Sequence, residues 1–318
     1  MGEMMRKFSF RAAMLVFMAA AAAGCGQIGV LKAQLSFKDA NKLYQQQRYK
    51  EAAAKYEEAV TANPELVEAY FFLGNSYDQQ YRPARRGEAE NDQLMDRAIE
   101  NYKVAATRSE NPEIKRLALQ YLVNAYGADK LNDPAQQEPI LRQMIDMDPT
   151  DPANYFVLAN VYEQNGEYEQ AEELLLKARD VKPRDPSVYT TLAGFYNRQG
   201  DFAKTMEALH ARAAQEPNNP EAYYTIATFY WDKAYKDFTI PQADKVKYVA
   251  EGHKAVDKAI DLKPDYPEAL TYKNLLLRVE ANLIKDPKRQ QELIREADQF
   301  RDRAVEVQKK QRAASAGD

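Results

Sequence analysis

Reactive side chains are scarce in this chain of 318 residues: it has two histidines, His210 and His253, and one cysteine, Cys25. Neither histidine has a cysteine or a second histidine at ligand spacing, so no zinc site is expected. No His-Glu-x-x-His run, nucleophile elbow or phosphate loop occurs, and the 12 glycines form no phosphate-cradling cluster. The 48 Asp and Glu residues fall where the wet faces of amphipathic helices would put them. The expectation is a protein that is not an enzyme and uses no cofactor or metal. A net charge of −4 leaves no electrostatic footprint for nucleic acid. The small basic cluster Arg82, Arg85 and Arg86 is followed by Glu88 and Glu90 and reads as a solvated loop.

What remains is the chemistry of recognition, and it depends on the elements that carry it. Pro152, Pro186 and Pro220 recur at a spacing of 34, as do Tyr155, Tyr189 and Tyr223, and Tyr162, Tyr196 and Tyr230. A fixed period of this length, with small residues and aromatics at set offsets, marks stacked helical hairpins. In the clearest unit Pro152 opens a helix whose Tyr155, Leu158, Ala159 and Tyr162 form one apolar stripe. Gly166 ends that helix; Tyr168, Ala171, Leu175 and Ala178 mark the second, and Pro183 follows it. Ala159 and Ala171 sit where the helices approach closely, so larger side chains there would overpack by roughly 1–3 kcal/mol.

The order aromatic, Leu, small, Tyr, Gly, aromatic, Ala, Pro resembles the tetratricopeptide repeat. It recurs as Tyr189, Leu192, Ala193, Tyr196, Gly200, Phe202, Leu209 and Pro217, with Thr205 in place of the usual Ala. Weaker copies run from Ala40 to Pro64, Tyr70 to Ala105, Leu119 to Pro149, and Tyr223 to Pro264. The last starts at Pro267, where Lys273 and Asn274 stand at normally apolar or small positions, as expected of a terminal cap with a polar face. The resemblance implies an all-α, right-handed superhelical solenoid of about seven hairpins over residues 33–312. Three hairpins are lengthened, between Asp78 and Arg97, Trp231 and Ala250, and Arg278 and Glu296. In the sixth, Pro241 should open a long second helix running to about Leu262.

In such repeats the first helices line a groove, which the resemblance places one position after the markers. Asn41, Asn75, Asn124 and Asn160 follow the small residue of the first four units, and an Asn amide can both donate to and accept from the backbone of an extended peptide. The same offsets bring Phe37, Tyr44, Phe71, Phe156, Tyr224 and Trp231 to that side, either as anchors for a partner or as packing between repeats. Trp231 is expected to end a first helix and open an insertion.

The N-terminus differs from everything after it. Arg6, Lys7 and Arg11 precede an apolar run from Ala12 to Ala23, the layout of a signal peptide over residues 1–24 and too short to span a membrane comfortably. Ala22-Ala23-Gly24-Cys25 resembles the bacterial lipobox, in which the cysteine becomes the acylated first residue; a plain secretory leader is the alternative. A short linker over 25–32 and a disordered tail over 313–318 complete the expected organisation. Together these features suggest an envelope lipoprotein, anchored in the outer membrane, whose groove binds a protein or extended peptide. A soluble periplasmic adaptor, a glycan-binding or enzymatic cleft between insertions, and a self-assembling element are the rivals; the oligomeric state is open.

Overall fold

The computed structural model describes residues 27–315, in which all regular structure is helical. The leader, Cys25 and residues 316–318 lie outside the described residues. A first compact unit ends at Pro149. It holds α1 (residues 27–45), α2 (Tyr49–Ala62), α3 (Val67–Asp78), α4 (Ala89–Arg108), α5 (Pro112–Tyr126) and α6 (Pro134–Met147). The second begins at Thr150 and holds α7 (Pro152–Gln164), α8 (Tyr168–Val181), α9 (Pro186–Arg198), α10 (Phe202–Gln215), α11 (Pro220–Lys236), α12 (Gln242–Leu262), α13 (Pro267–Leu283) and α14 (Pro287–Ser315). Within each unit the helices pair as antiparallel hairpins, three in the first and four in the second, the arrangement of a helical solenoid. The stretch expected to be a linker is helical from residue 27, and the expected tail is helical to Ser315.

Local chemistry explains where these helices start. Asn111, Asp133, Asp151, Asp185 and Asn219 each precede a helix-opening proline, and each side chain accepts an N–H of the first turn. Such a cap contributes about 1 kcal/mol, and proline at the next position gives up an N–H that had no partner anyway. Turns are set as firmly. Gly166 and Gly200 end the first helices of their hairpins at φ 80° and 75°, in the left-handed region that glycine enters freely. Gln47 takes the same conformation, φ 59°, at the corresponding turn between α1 and α2.

Small residues govern the approach of paired helices. Ala159 and Ala171 are buried, as is Gly74, where an added Cβ would stand 2.9 Å from the Ala98 carbonyl oxygen and 3.0 Å from the Tyr102 ring. Thr205, standing where the repeat favours Ala, is fully enclosed and gives its hydroxyl to the Asp201 carbonyl at 2.7 Å. The lengthened hairpins are absorbed by longer second helices: α4, α12 and α14 have 20, 21 and 29 residues against 14 in α8 and α10. Helix α12 runs from Gln242 to Leu262, the extent expected from Pro241.

Lys273 and Asn274 do not turn toward water as a cap would. Both are buried, Lys273 with its Nζ 2.7 Å from Asp257 and 3.2 Å from His253 Nδ1, and Asn274 accepting from Arg278 at 2.9 Å. Pairing makes their burial tolerable. Helix α14 closes the stack instead, packing Leu293 and Ala297 on Leu277 and Ala281, and Ala304 and Val307 on Leu270.

Candidate functional site

The first helices of each unit present a side-by-side face, and the two faces differ. In the first unit that face is filled by its own side chains. Asn75 is 1% exposed and accepts the Tyr44 hydroxyl; Asn41 accepts the Tyr56 hydroxyl at 2.6 Å. Phe37 packs against Tyr56 and Phe72, and Phe71 is buried against Tyr102 and Tyr121. Asp78, also buried, pairs with Lys130, which reaches it from the turn between α5 and α6, and accepts from Tyr102. Burial pushes the Tyr44 phenol up to about 12, so it donates throughout the physiological range. Asn124 stands apart with an exposed side chain.

The second unit leaves its face open. Asn160 is exposed and accepts only from Gln164, one turn along its own helix. Phe156 and Tyr224 are half-buried, and an ion pair from Arg198 to Glu163 ties α9 to α7 at 2.7 Å. Toward the end of α11, Trp231 stacks on Tyr235 with ring centres 4.9 Å apart and meets the edge of Tyr272, which also contacts Tyr224. The inner side of Trp231 rests on Ala234, Val249 and Val279. Its indole N–H is enclosed and meets no acceptor. Trp231 does not end its helix: α11 continues for more than a turn beyond it, to Lys236.

A cleft of about 610 Å³ opens along another side of α11, lined among others by Phe202, Phe229, Asp232, Lys236 and Phe238. Phe238, in the short loop after α11, is 86% exposed. That loop is held by Asp237, which accepts from Lys233 at 2.7 Å and from the Thr239 hydroxyl and amide. Those bonds hold the Asp237 carboxyl far below the usual carboxylate range. Phe238 and Tyr235 were not expected from the repeat register, because both belong to the lengthened segment; an aromatic among Lys and Asp just past a first helix was the available signal.

Other candidates resolve simply. His210 is exposed and contacts the Tyr230 hydroxyl at 3.2 Å. His253 is largely buried, with Lys273, Asp257 and Glu280 around it; burial first, then the Lys273 charge, lowers its imidazole to about 4. Among the described residues no group of His, Cys, Asp and Glu could hold a metal ion, and no helix is long and apolar enough to cross a membrane. The arginine cluster is organised rather than loose: Asn91 clamps the Arg82 backbone, Arg85 pairs with Glu88, and Arg86 reaches the Lys130 carbonyl.

Stacked α-hairpins within each unit define a helical-repeat protein. Sequence comparison identifies the repeats. A tetratricopeptide-repeat family model matches residues 130–194 and a TPR-repeat model matches residues 40–80. The chain carries tetratricopeptide repeats over these stretches. The C-terminal part of a TPR repeat-containing protein from Cytophaga hutchinsonii superposes with a TM-score of 0.54 at 15% identity, covering 85% of this chain and 98% of that one. The crystal structure of MamA aligns at 20% identity and TM-score 0.42 over 56% of this chain and 94% of its own. YrrB, described as a TPR protein with an unusual peptide-binding site, aligns at 17% identity and TM-score 0.40, over 60% and 89%. No curated protein sequence matches the chain.

Proposed function

We propose that this protein is a bacterial envelope lipoprotein that holds an extended segment of another protein on the first-helix face of its second unit. The observation that carries the binding reading is Trp231. An enclosed donor without an acceptor costs about 1–3 kcal/mol, which a carbonyl arriving from a ligand would recover. Tyr235, 53% exposed, stacks on the face of the same indole. The open Asn160 amide and half-buried Tyr224 on the same face supply a hydrogen-bonding group and an aromatic surface. The lipid anchor rests on the sequence around Cys25. One acyl chain binds a membrane only marginally, and the multiple chains of a processed lipoprotein hold it stably. No catalytic step is part of this function.

A photo-crosslinking residue placed in intact cells at Thr228, which follows Ala227 in α11 as Asn160 follows Ala159 in α7, tests the face, with Lys177 on α8 as the control position. The expected result is one dominant adduct from Thr228 only, weakened by Trp231→Phe, which removes the N–H and keeps a ring. Equal yields from the two positions would sink the reading. Blocking lipoprotein signal peptidase tests the anchor separately: an unprocessed precursor accumulates if Cys25 is acylated, and a soluble periplasmic adaptor is indicated if none does.

A further inference from the structure

Helix α1 carries an apolar stripe that no other element among the described residues covers. Ile28, Leu31 and Leu35 lie on one side of the helix and are 70%, 59% and 57% exposed, while Ala33, Ser36 and Ala40 are buried on another. We propose that this N-terminal half of α1 rests in a lipid surface, with the stripe among the acyl chains and Lys32 and Lys38 against anionic headgroups. The proposal builds on the reading that Cys25 is acylated.

Register separates a membrane from a protein occupant. In α9, which packs on the preceding α8, the residues five before, one before and two after the small marker are Val188, Leu192 and Phe195, all buried. The equivalent residues of α1, counted from Ala40, are Leu35, Asp39 and Lys42, all exposed. The side that a preceding helix covers in α9 is therefore apolar in α1 only in the half nearest Cys25 and charged in the far half. A helix docking along α1, from a second copy or another protein, would need apolar contacts along the whole length. A membrane reached from Cys25 needs them only close to the anchor, and Leu35 lies about 12 Å along α1 from residue 27, where the described helix begins. Apolar residues flanked by lysines are the composition of helices that lie in the headgroup boundary.

The test reads depth directly. Leu31→Cys and Lys42→Cys variants of the full chain, purified from membranes and reconstituted in vesicles of phosphatidylethanolamine and phosphatidylglycerol, each take a thiol-specific nitroxide; circular dichroism confirms that both keep the parent helix content. The expected outcome is a several-fold lower accessibility to a water-soluble relaxation agent at position 31 than at position 42, with higher accessibility to oxygen. Equal aqueous accessibility at the two positions overturns the proposal. The mass of the N-terminal peptide independently reports whether Cys25 carries acyl chains. Should Cys25 prove free, the lipoprotein reading fails, and the same comparison in a Cys25→Ser background still decides the α1 contact.

Discussion

Phe71 in α3 and Phe156 in α7 hold the same register position, one residue after the aromatic marker that opens each first helix. Phe71 is walled in by Tyr102, Tyr121 and Phe72, whereas Phe156 keeps part of its ring in solvent. The same contrast separates Asn75, which accepts from Tyr44, from Asn160, which bonds only within its helix turn. A repeat register thus fixes which direction a side chain points but not whether the space it points into is vacant. In the first unit bulky aromatics from α2 and α4, and Lys130 from a turn, occupy that space. In the second unit the matching second-helix residues leave it open, and the aromatics gather instead at the end of α11.

Truncating the two phenylalanines is the sharpest way to break this comparison. Phe71→Ala removes a buried ring and should cost about 3 kcal/mol, with Phe156→Ala costing no more than about 1 kcal/mol. Urea unfolding of both variants beside the parent checks this. Equal losses would mean that the second face is as closed as the first.

A buried histidine gives the second unit a pH dependence with no counterpart in the first. The His253 imidazole is lowered to about 4, against 6.5 in an unfolded chain, so between these values the unfolded state binds the extra proton. Stability from this residue is complete above pH 6.5 and falls as the pH drops toward 4, by about 2 kcal/mol between pH 7 and pH 5. His253→Gln should flatten that part of the profile in chemical unfolding measured at the two pH values. A variant whose stability still falls as steeply as the parent's would assign the effect to other groups.

The sequence carried the hairpins because proline, tyrosine and small residues recur at fixed offsets, and those offsets express helix geometry directly. Seven hairpins among the described residues and the close approaches at Ala159 and Ala171 follow from it, while the reach of α12 follows from Pro241. The Asx-Pro pairs were an equally plain signal for helix starts, since the side-chain oxygen and the proline act within one turn. The buried state of Lys273 was not legible, because it depends on Asp257 and His253 arriving from another helix. Nor was the filling of the first face: it depends on how far Tyr56 and Tyr102 reach across from the second helices, a matter of rotamer and packing.

Turns offer a gentler comparison. Gln47 pays the steric cost of the left-handed region that Gly166 and Gly200 avoid in the second unit. Gln47→Gly should raise stability by about 0.5–1 kcal/mol, since relief of strain exceeds the extra chain entropy that glycine brings to the unfolded state. A rise of a few degrees in the melting midpoint is the expected reading, and a fall would show that the Gln47 side chain contributes contacts that offset its strain.

The smallest change in stability should come with a large change in binding, and this pairing defines what an open face means. Tyr235 is more than half exposed, and its ring covers Trp231 without entering the cluster of Ala234, Val249 and Val279. Tyr235→Ala should therefore shift unfolding by less than about 0.5 kcal/mol. It also removes an exposed aromatic surface stacked on Trp231, so a ligand loses contact area there and the Thr228 crosslink should weaken. A loss of stability comparable to that of Phe71→Ala would instead place Tyr235 in the packed interior, and the second face would then be closed by its own residues just as the first one is.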